Sequence, residues 1–307
     1  DKPMDRFLEF ALAEAIEQMT EPVMEAIESG RWVADTPLRE KQLEFVLTSI
    51  DPPRASGYLT QRLARVPLSR DGTGPWIELI GRAGGVDELS NLFSQAVAGE
   101  FAPQATVRAL RAVDMAYRVR KLKPRQLELG QLLEAKDDDV VRAAVELVGT
   151  WKQSGKTEQL ETLANFPNTS KPTRLAAIQS LAAAGAPGDE TALSRLANSD
   201  QDIAIRQAAV IALASQNINL AVESFYRVLA ELDSESAALQ LWRGMLANPQ
   251  AGKVLSANLP SDGISETAAV AGVRAAQDGG RDEPELLASL TPLSGLQIRA
   301  EELSPER

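Results

Sequence analysis

The sequence predicts an all-α fold, an α-solenoid of about nine stacked helical hairpins. Three observations carry this expectation. Apolar residues recur at steps of three and four along nearly all of the 307 residues. Helix stop and start signals return about every 30 to 35 residues, a spacing typical of helical repeat arrays. Aromatic residues make up only 5% of the chain while Ala and Leu abound, a balance that favours closely packed helices over sheets. The length also exceeds that of an ordinary single core, so two domains or an extended repeat architecture is expected. A compact helical bundle is the competing architecture, and it would need fewer and longer helices.

The first helix signal runs from Pro3 to Met19, with Phe7, Leu8, Ala11, Leu12, Ala15, Ile16 and Met19 on one stripe. Thr20-Glu21-Pro22 reads as a break, with Thr20 as cap and Pro22 in the first turn of a second helix. That helix carries Val23, Met24 and Ile27 and stops at Gly30. Leu38 to Ile50 follows, then a helix opening at Pro52-Pro53. Trp76–Arg82 and Val86–Val97 form a pair split by Gly84-Gly85, and Pro103–Val119 pairs with Pro124–Ala135. Further pairs begin near Asp139, Pro172, Asp202, Glu235 and Ser265. The pattern fades beyond Pro292, so residues 1–292 read as one repeat array and 293–307 as a C-terminal cap or linker.

The repeat is visible in residues as well as in period. Asp139-Val140-Val141-Arg142-Ala143-Ala144 corresponds to Thr173-Arg174-Leu175-Ala176-Ala177 and to Ile205-Arg206-Gln207-Ala208-Ala209. Arg142, Arg174 and Arg206 are 32 residues apart, and Arg108 lies 34 before Arg142. This pattern resembles the first helix of HEAT repeats. The resemblance implies that small Ala residues let neighbouring helices approach, with Asp and Arg at turn and edge positions.

Charge narrows the function classes. The formal charge is −11 with an isoelectric point near 4.8. A nucleic-acid binder neutralises phosphates with Lys and Arg, so that class is not expected, nor is binding to an anionic membrane surface. No apolar run approaches the roughly 20 residues that a membrane-spanning helix needs. There is no Cys and no His. Disulfides, thiolate nucleophiles and c-type haem attachment are thereby excluded from this stretch, along with the commonest general base and transition-metal ligand. The absence of Cys is compatible with any redox compartment.

Other local features read as architecture. Asp137-Asp138-Asp139 lacks the alternating ligands, Gly and distal Glu of a Ca²⁺ loop, and suits a helix start. Asp71-Gly72-Thr73-Gly74-Pro75 and Gly81-Arg82-Ala83-Gly84-Gly85 lack a phosphate-binding fingerprint and read as helix punctuation. Trp32, Trp76, Trp151 and Trp242 sit in or beside helices as packing anchors. No catalytic, cofactor-binding or metal-ligating residue is expected. The basic run Arg118, Arg120, Lys121, Lys123 and Arg125 at an inter-helix turn departs from the acidity of the chain. It is the candidate contact for an acidic protein partner or a flanking domain of the same chain.

The opening Lys2-Pro3-Met4-Asp5-Arg6-Phe7-Leu8, with Glu21-Pro22-Val23 and Gly30-Arg31-Trp32, resembles the start of the HEAT region in PVC-type haem-binding, membrane-bound dehydrogenase-like bacterial proteins. In that family a β-propeller precedes the HEAT array and a c-type cytochrome domain follows it. The resemblance implies a spacer between redox modules of a periplasmic or exported protein. The start at Asp1 and the polar ending Ser304-Pro305-Glu306-Arg307 fit a segment of something longer. The family's haem and redox residues map onto nothing here.

The leading functional expectation is a non-catalytic scaffold or protein-interaction domain, monomeric and without cofactors. The alternative is a HEAT-like enzyme or lyase acting on a small ligand or chromophore.

Overall fold

The computed structural model describes residues 6–50, 52–199, 202–278 and 283–295. Contacts divide the chain into two compact units, Asp1–Leu147 and Val148–Arg307. All described regular structure is helical, and no strand occurs among the described residues. None of the described helices is long and apolar enough to cross a membrane.

The first unit contains α1 (Arg6–Glu28), α2 (Pro37–Ser49), α3 (Pro52–Arg65), α4 (Trp76–Ala83), α5 (Val86–Val97), α6 (Pro103–Arg120) and α7 (Gly130–Leu133). Helix α8 (Asp138–Trp151) includes the unit boundary. The first helices of successive hairpins stack as a row α2–α4–α6, and α3 lies beside α5 in a second row. This two-row stacking is what defines an α-solenoid, because each hairpin buries its apolar stripe against its neighbours.

The second unit continues in the same manner. It holds α9 (Thr157–Asn165), α10 (Lys171–Ala184), α11 (Asp189–Ala197), α12 (Ile203–Gln216) and α13 (Ile218–Ala230). After these come α14 (Glu235–Leu246), α15 (Ala251–Ala257), α16 (Glu266–Asp278), α17 (Pro284–Leu290) and a 3₁₀ turn at Thr291–Leu293. Helices α10, α12, α14 and α16 form one row, and α9, α11, α13, α15 and α17 form the other.

Sequence punctuation produces most of these boundaries. Thr36 accepts a hydrogen bond from the Arg39 amide, with Pro37 opening α2. Ser170 accepts from Thr173, and Asp202 from Ala204, at the starts of α10 and α12. Gly185 ends α10 at φ 58°, a left-handed conformation that glycine adopts without steric penalty. The hairpins starting at Leu38, Trp76, Asp139, Pro172, Asp202, Glu235 and Ser265 all form where the apolar period places them.

Two expectations fail. The segment 3–28 is one continuous helix over its described part, not a hairpin broken at Thr20-Glu21-Pro22. Pro22 removes one intrahelical hydrogen bond and crowds the preceding turn, at a cost of about 3 kcal/mol. Packing beyond the proline offsets this cost. Met24 and Ile27 are buried in one cluster with Leu43, Leu47, Ala55, Leu59 and Leu79. The described structure therefore has eight hairpins and one long leading helix, against about nine expected hairpins.

The second failure is Pro124–Ala135, which is helical only at Gly130–Leu133. Lys121 turns left-handed at φ 58° and ends α6, and buried Pro124 leads the chain away. The Arg125 amide then donates to Ser90 Oγ at 3.0 Å, and Leu129 is fully buried. The segment between α6 and α7 is therefore irregular, tied to α5 at Arg125. Of the proposed cap 293–307, Ser294 is buried and donates to the Thr291 carbonyl at 2.8 Å. Residues 296–307 lie outside the described residues.

Close helix approach depends on glycine at specific points. A side chain on Gly81 of α4 would stand 2.8 Å from the Ala112 carbonyl oxygen of α6. Gly57, on the exposed side of α3, has open space around it. Gly57→Ala is therefore expected to stabilise the first unit by about 0.5–1 kcal/mol, through helix propensity and a less free unfolded chain. Urea unfolding of the two forms measures it.

Candidate functional site

The arginines that mark the repeat sit at equivalent places in successive first helices, and each spends its guanidinium on the architecture. Arg108 on α6 pairs with both oxygens of Glu78 at 2.7 Å and donates to the carbonyls of Gly72 and Gly74 at 2.8 and 3.1 Å. The Glu78 carboxylate raises the Arg108 pKa despite its partial burial. Arg142 pairs with Asp139 at 2.5 Å. Arg174 is buried and donates to the Ala164 carbonyl at 2.8 Å. Arg206 grips Glu231 with two nitrogens, and that hydrogen bonding lowers the Glu231 pKa. Lys171 reaches Asp202 at 3.2 Å, and the Ala204 amide and this ammonium together lower the Asp202 pKa.

Two buried carboxylates play a matching role in the second row. Glu88 on α5 accepts from the Gly85 amide at 2.8 Å and from Ser56 Oγ at 2.6 Å, and also from Thr60 Oγ1. Asp189 on α11 accepts from the Ala186 amide and from Thr157 Oγ1, both at 2.6 Å. In each case one acid caps its own helix and ties it to the preceding second helix. The tie spans 32 residues in both, Ser56 to Glu88 and Thr157 to Asp189. The signal in sequence was Gly85-x-x-Glu88, a capping-box spacing, although the cross-helix hydroxyls are not legible from it.

Burial alone would push the Glu88 pKa up, but the hydroxyl and amide donors outweigh it, and the pKa is lowered. A lowered folded-state pKa gives stability that is present above the ordinary glutamate value and is lost as the pH falls through the folded value. The advantage of the parent chain over Glu88→Gln should therefore be full at pH 7. It should shrink progressively below about pH 4.5. Urea midpoints of the two proteins at pH 7 and pH 3.5 check this. An unchanged gap would show that the carboxylate is not the stabilising group.

Asp137 accepts from the amides of Asp139 and Val140 at 3.1 and 3.2 Å, so the acidic run caps α8 as its composition implies. Trp151 and Trp242 are buried anchors. Trp32 and Trp76 are half-buried beneath Arg39 and Arg62, whose guanidinium carbons lie 6.0 and 4.3 Å from the ring centroids.

The structure spreads the basic run over different tasks. Arg118 pairs with Asp114 on its own helix at 2.6 Å. Arg120 turns inward and donates to the carbonyls of Gly81 and Gly84 at 2.7 Å, closing the end of α4. Burial lowers its pKa. Lys121 and Lys123 lie 5.6 and 4.4 Å from the Tyr117 ring centroid, and Arg125 pairs with Asp87. Lys121, Lys123, Arg118 and Arg125 remain at the surface, while Arg120 does not share their face.

Two grooves in the first unit have the size of a peptide side chain or more. One, of about 360 Å³, lies between α6 and the start of α8 and is lined by Gln104, Val107, Arg108, Arg111, Asp137 and Arg142 among others. Its cations and acids are mixed, and Arg108 and Arg142 are already paired. The other, of about 220 Å³, lies between α1 and α2. Ala15, Met19, Val23, Phe45, Val46 and Ile50 line it, with Thr20 and Ser49 beside them. Phe45 was not singled out by sequence, because the α2 pattern does not say which apolar residue a neighbour leaves uncovered.

Searches among curated proteins and among solved structures returned no match. Residues 127–214, from the segment before α7 to α12, match the family model described as HEAT repeats, and they include the three clean copies around Arg142, Arg174 and Arg206.

Proposed function

We propose that the chain acts as a non-catalytic scaffold that presents surfaces to other proteins or to flanking modules of a larger one. The observation that carries this reading is how the recurring polar residues are used. Arg108, Arg174, Arg206, Glu88 and Asp189 are each committed to capping a helix or tying one helix or loop to another. Repeat arrays built this way are stable as sums of neighbour contacts and offer long surfaces for association. The HEAT-repeat match supports the same role. The finer reading, a spacer between modules of an exported redox protein, rests on the likeness of residues 2–32 to PVC-type haem-binding proteins.

Cross-linking mass spectrometry on the full protein in its source cells tests the proposal. Exposed Lys41 and Lys121 should form cross-links to residues outside these 307 or to a second protein. Cross-links confined to the chain itself, or turnover of a small substrate by the isolated chain, would overturn it.

A further inference from the structure

We infer that the turn after α6 is a docking point for a short acidic peptide segment of a partner, contacted by Lys121 and Lys123 beside the Tyr117 ring, an inference that rests on the interaction reading above.

Positive charge concentrates at this turn. Residues 115–127 hold five cations and no acid, within a chain whose formal charge is −11. Three of the five are committed within the fold. Arg118 pairs with Asp114, Arg125 pairs with Asp87, and Arg120 donates to the Gly84 carbonyl at the end of α4. Lys121 is exposed, and its ammonium donates to the Arg118 carbonyl at 3.2 Å, a neutral acceptor that leaves its charge uncompensated. That ammonium lies 5.6 Å from the centre of the Tyr117 ring, and the Lys123 ammonium lies 4.4 Å from the same centre. Two like charges against one ring stand within a Debye length, about 10 Å at 0.1 M salt. A carboxylate that reaches both relieves their repulsion.

The charge at Lys121 is kept at a conformational cost. Lys121 holds φ 58° at the end of α6, a left-handed position where glycine is favoured and a Cβ is strained. Lys152 is the other described residue besides glycine with a positive φ, at 52°. Of the two, Lys121 is the one whose ammonium shares an aromatic ring with a second lysine. Backbone strain of this kind persists where the side chain is needed. A lysine here also complements the dipole at the end of α6, and Lys121→Gly separates the two uses. The extent of the positive surface chooses the occupant. A long polyanion such as nucleic acid would run from this one turn onto an acidic chain, at a loss of affinity. A short segment carrying Asp or Glu is complementary to the turn and ends within it.

The test follows the fluorescence anisotropy of a labelled peptide of alternating Asp and Gly, titrated with the whole chain at low salt. The same peptide with Asn in place of Asp is the control. Saturable, salt-sensitive binding is expected for the acidic peptide alone. Lys121→Gly should weaken it about threefold, and Lys121→Gly with Lys123→Gln about tenfold, as exposed charge pairs allow. Lys253→Gln, which removes an exposed lysine of the second unit, should leave it unchanged. In urea, Lys121→Gly should unfold at the same midpoint as the parent or a higher one, because glycine relieves the left-handed cap. A lower midpoint would show that the lysine serves the fold, and would overturn the inference. Unchanged affinity in both lysine variants, equal affinity for the Asn peptide, or tighter binding of a single-stranded oligonucleotide of equal charge would each overturn it as well. Cross-links from Lys41 to other proteins, found together with unchanged peptide affinity in the lysine variants, would sink this inference while sparing the scaffold reading.

Discussion

Trp242→Ala is expected to destabilise the second unit by about 3–5 kcal/mol, the largest effect of any single substitution considered. Trp242 on α14 is fully buried, and its ring meets Phe225 edge-on at 4.7 Å between centroids. Its indole nitrogen donates to the Ala268 carbonyl on α16 at 3.0 Å. A Cβ on Gly272 would stand 2.9 Å from the ring, so α16 is shaped around it. The truncation opens a cavity among three helices and leaves the Ala268 carbonyl without that donor. In a row of stacked hairpins no distant core compensates, because each interface is local. Thermal unfolding followed by circular dichroism should show a transition lowered by about 10 °C. Trp242→Phe should recover part of the loss, since it restores ring volume but not the hydrogen bond. A shift of only a degree or two for Trp242→Ala would contradict this account of the α14–α16 interface.

Gly81→Leu should cost the first unit about 3 kcal/mol, by overpacking where nothing soft can yield. The new Cβ would meet the carbonyl oxygen and Cα of Ala112 at 2.8 and 3.0 Å, both backbone atoms of α6. The helices must separate to admit it. Separation also pulls the Gly81 and Gly84 carbonyls from Arg120, which donates to both at 2.7 Å. The contrast with Gly57→Ala isolates the cause. Both substitutions put a side chain on a helical glycine, but only one faces another helix. Equal stabilities for parent and Gly81→Leu in urea would show that α4 and α6 are not held at this distance.

These two residues also mark how far reading the sequence could go. Gly81 was legible only as one glycine in a punctuating run, because its use lies on a neighbouring helix that spacing does not identify. The basic run from Arg118 to Arg125 looked like one patch, yet Arg120 serves the end of α4 some 36 residues earlier. Linear proximity of charges says nothing about which of them a carbonyl terminus will claim. A break at Pro22 follows from a local rule, which the burial of Met24 and Ile27 outweighs.

The sequence by itself determined the all-α class, the hairpin period and most helix boundaries, including the arginine spacing that recurs through Arg206. These depend on local propensity, capping and apolar steps of three and four, all written within a few residues of where they act. Only the tertiary structure decided which polar side chains would be tied between helices. It alone also placed Met19 and Phe45, both exposed, along a groove between α1 and α2. Burial is a property of what packs against a residue, and that neighbour is not encoded beside it in the chain.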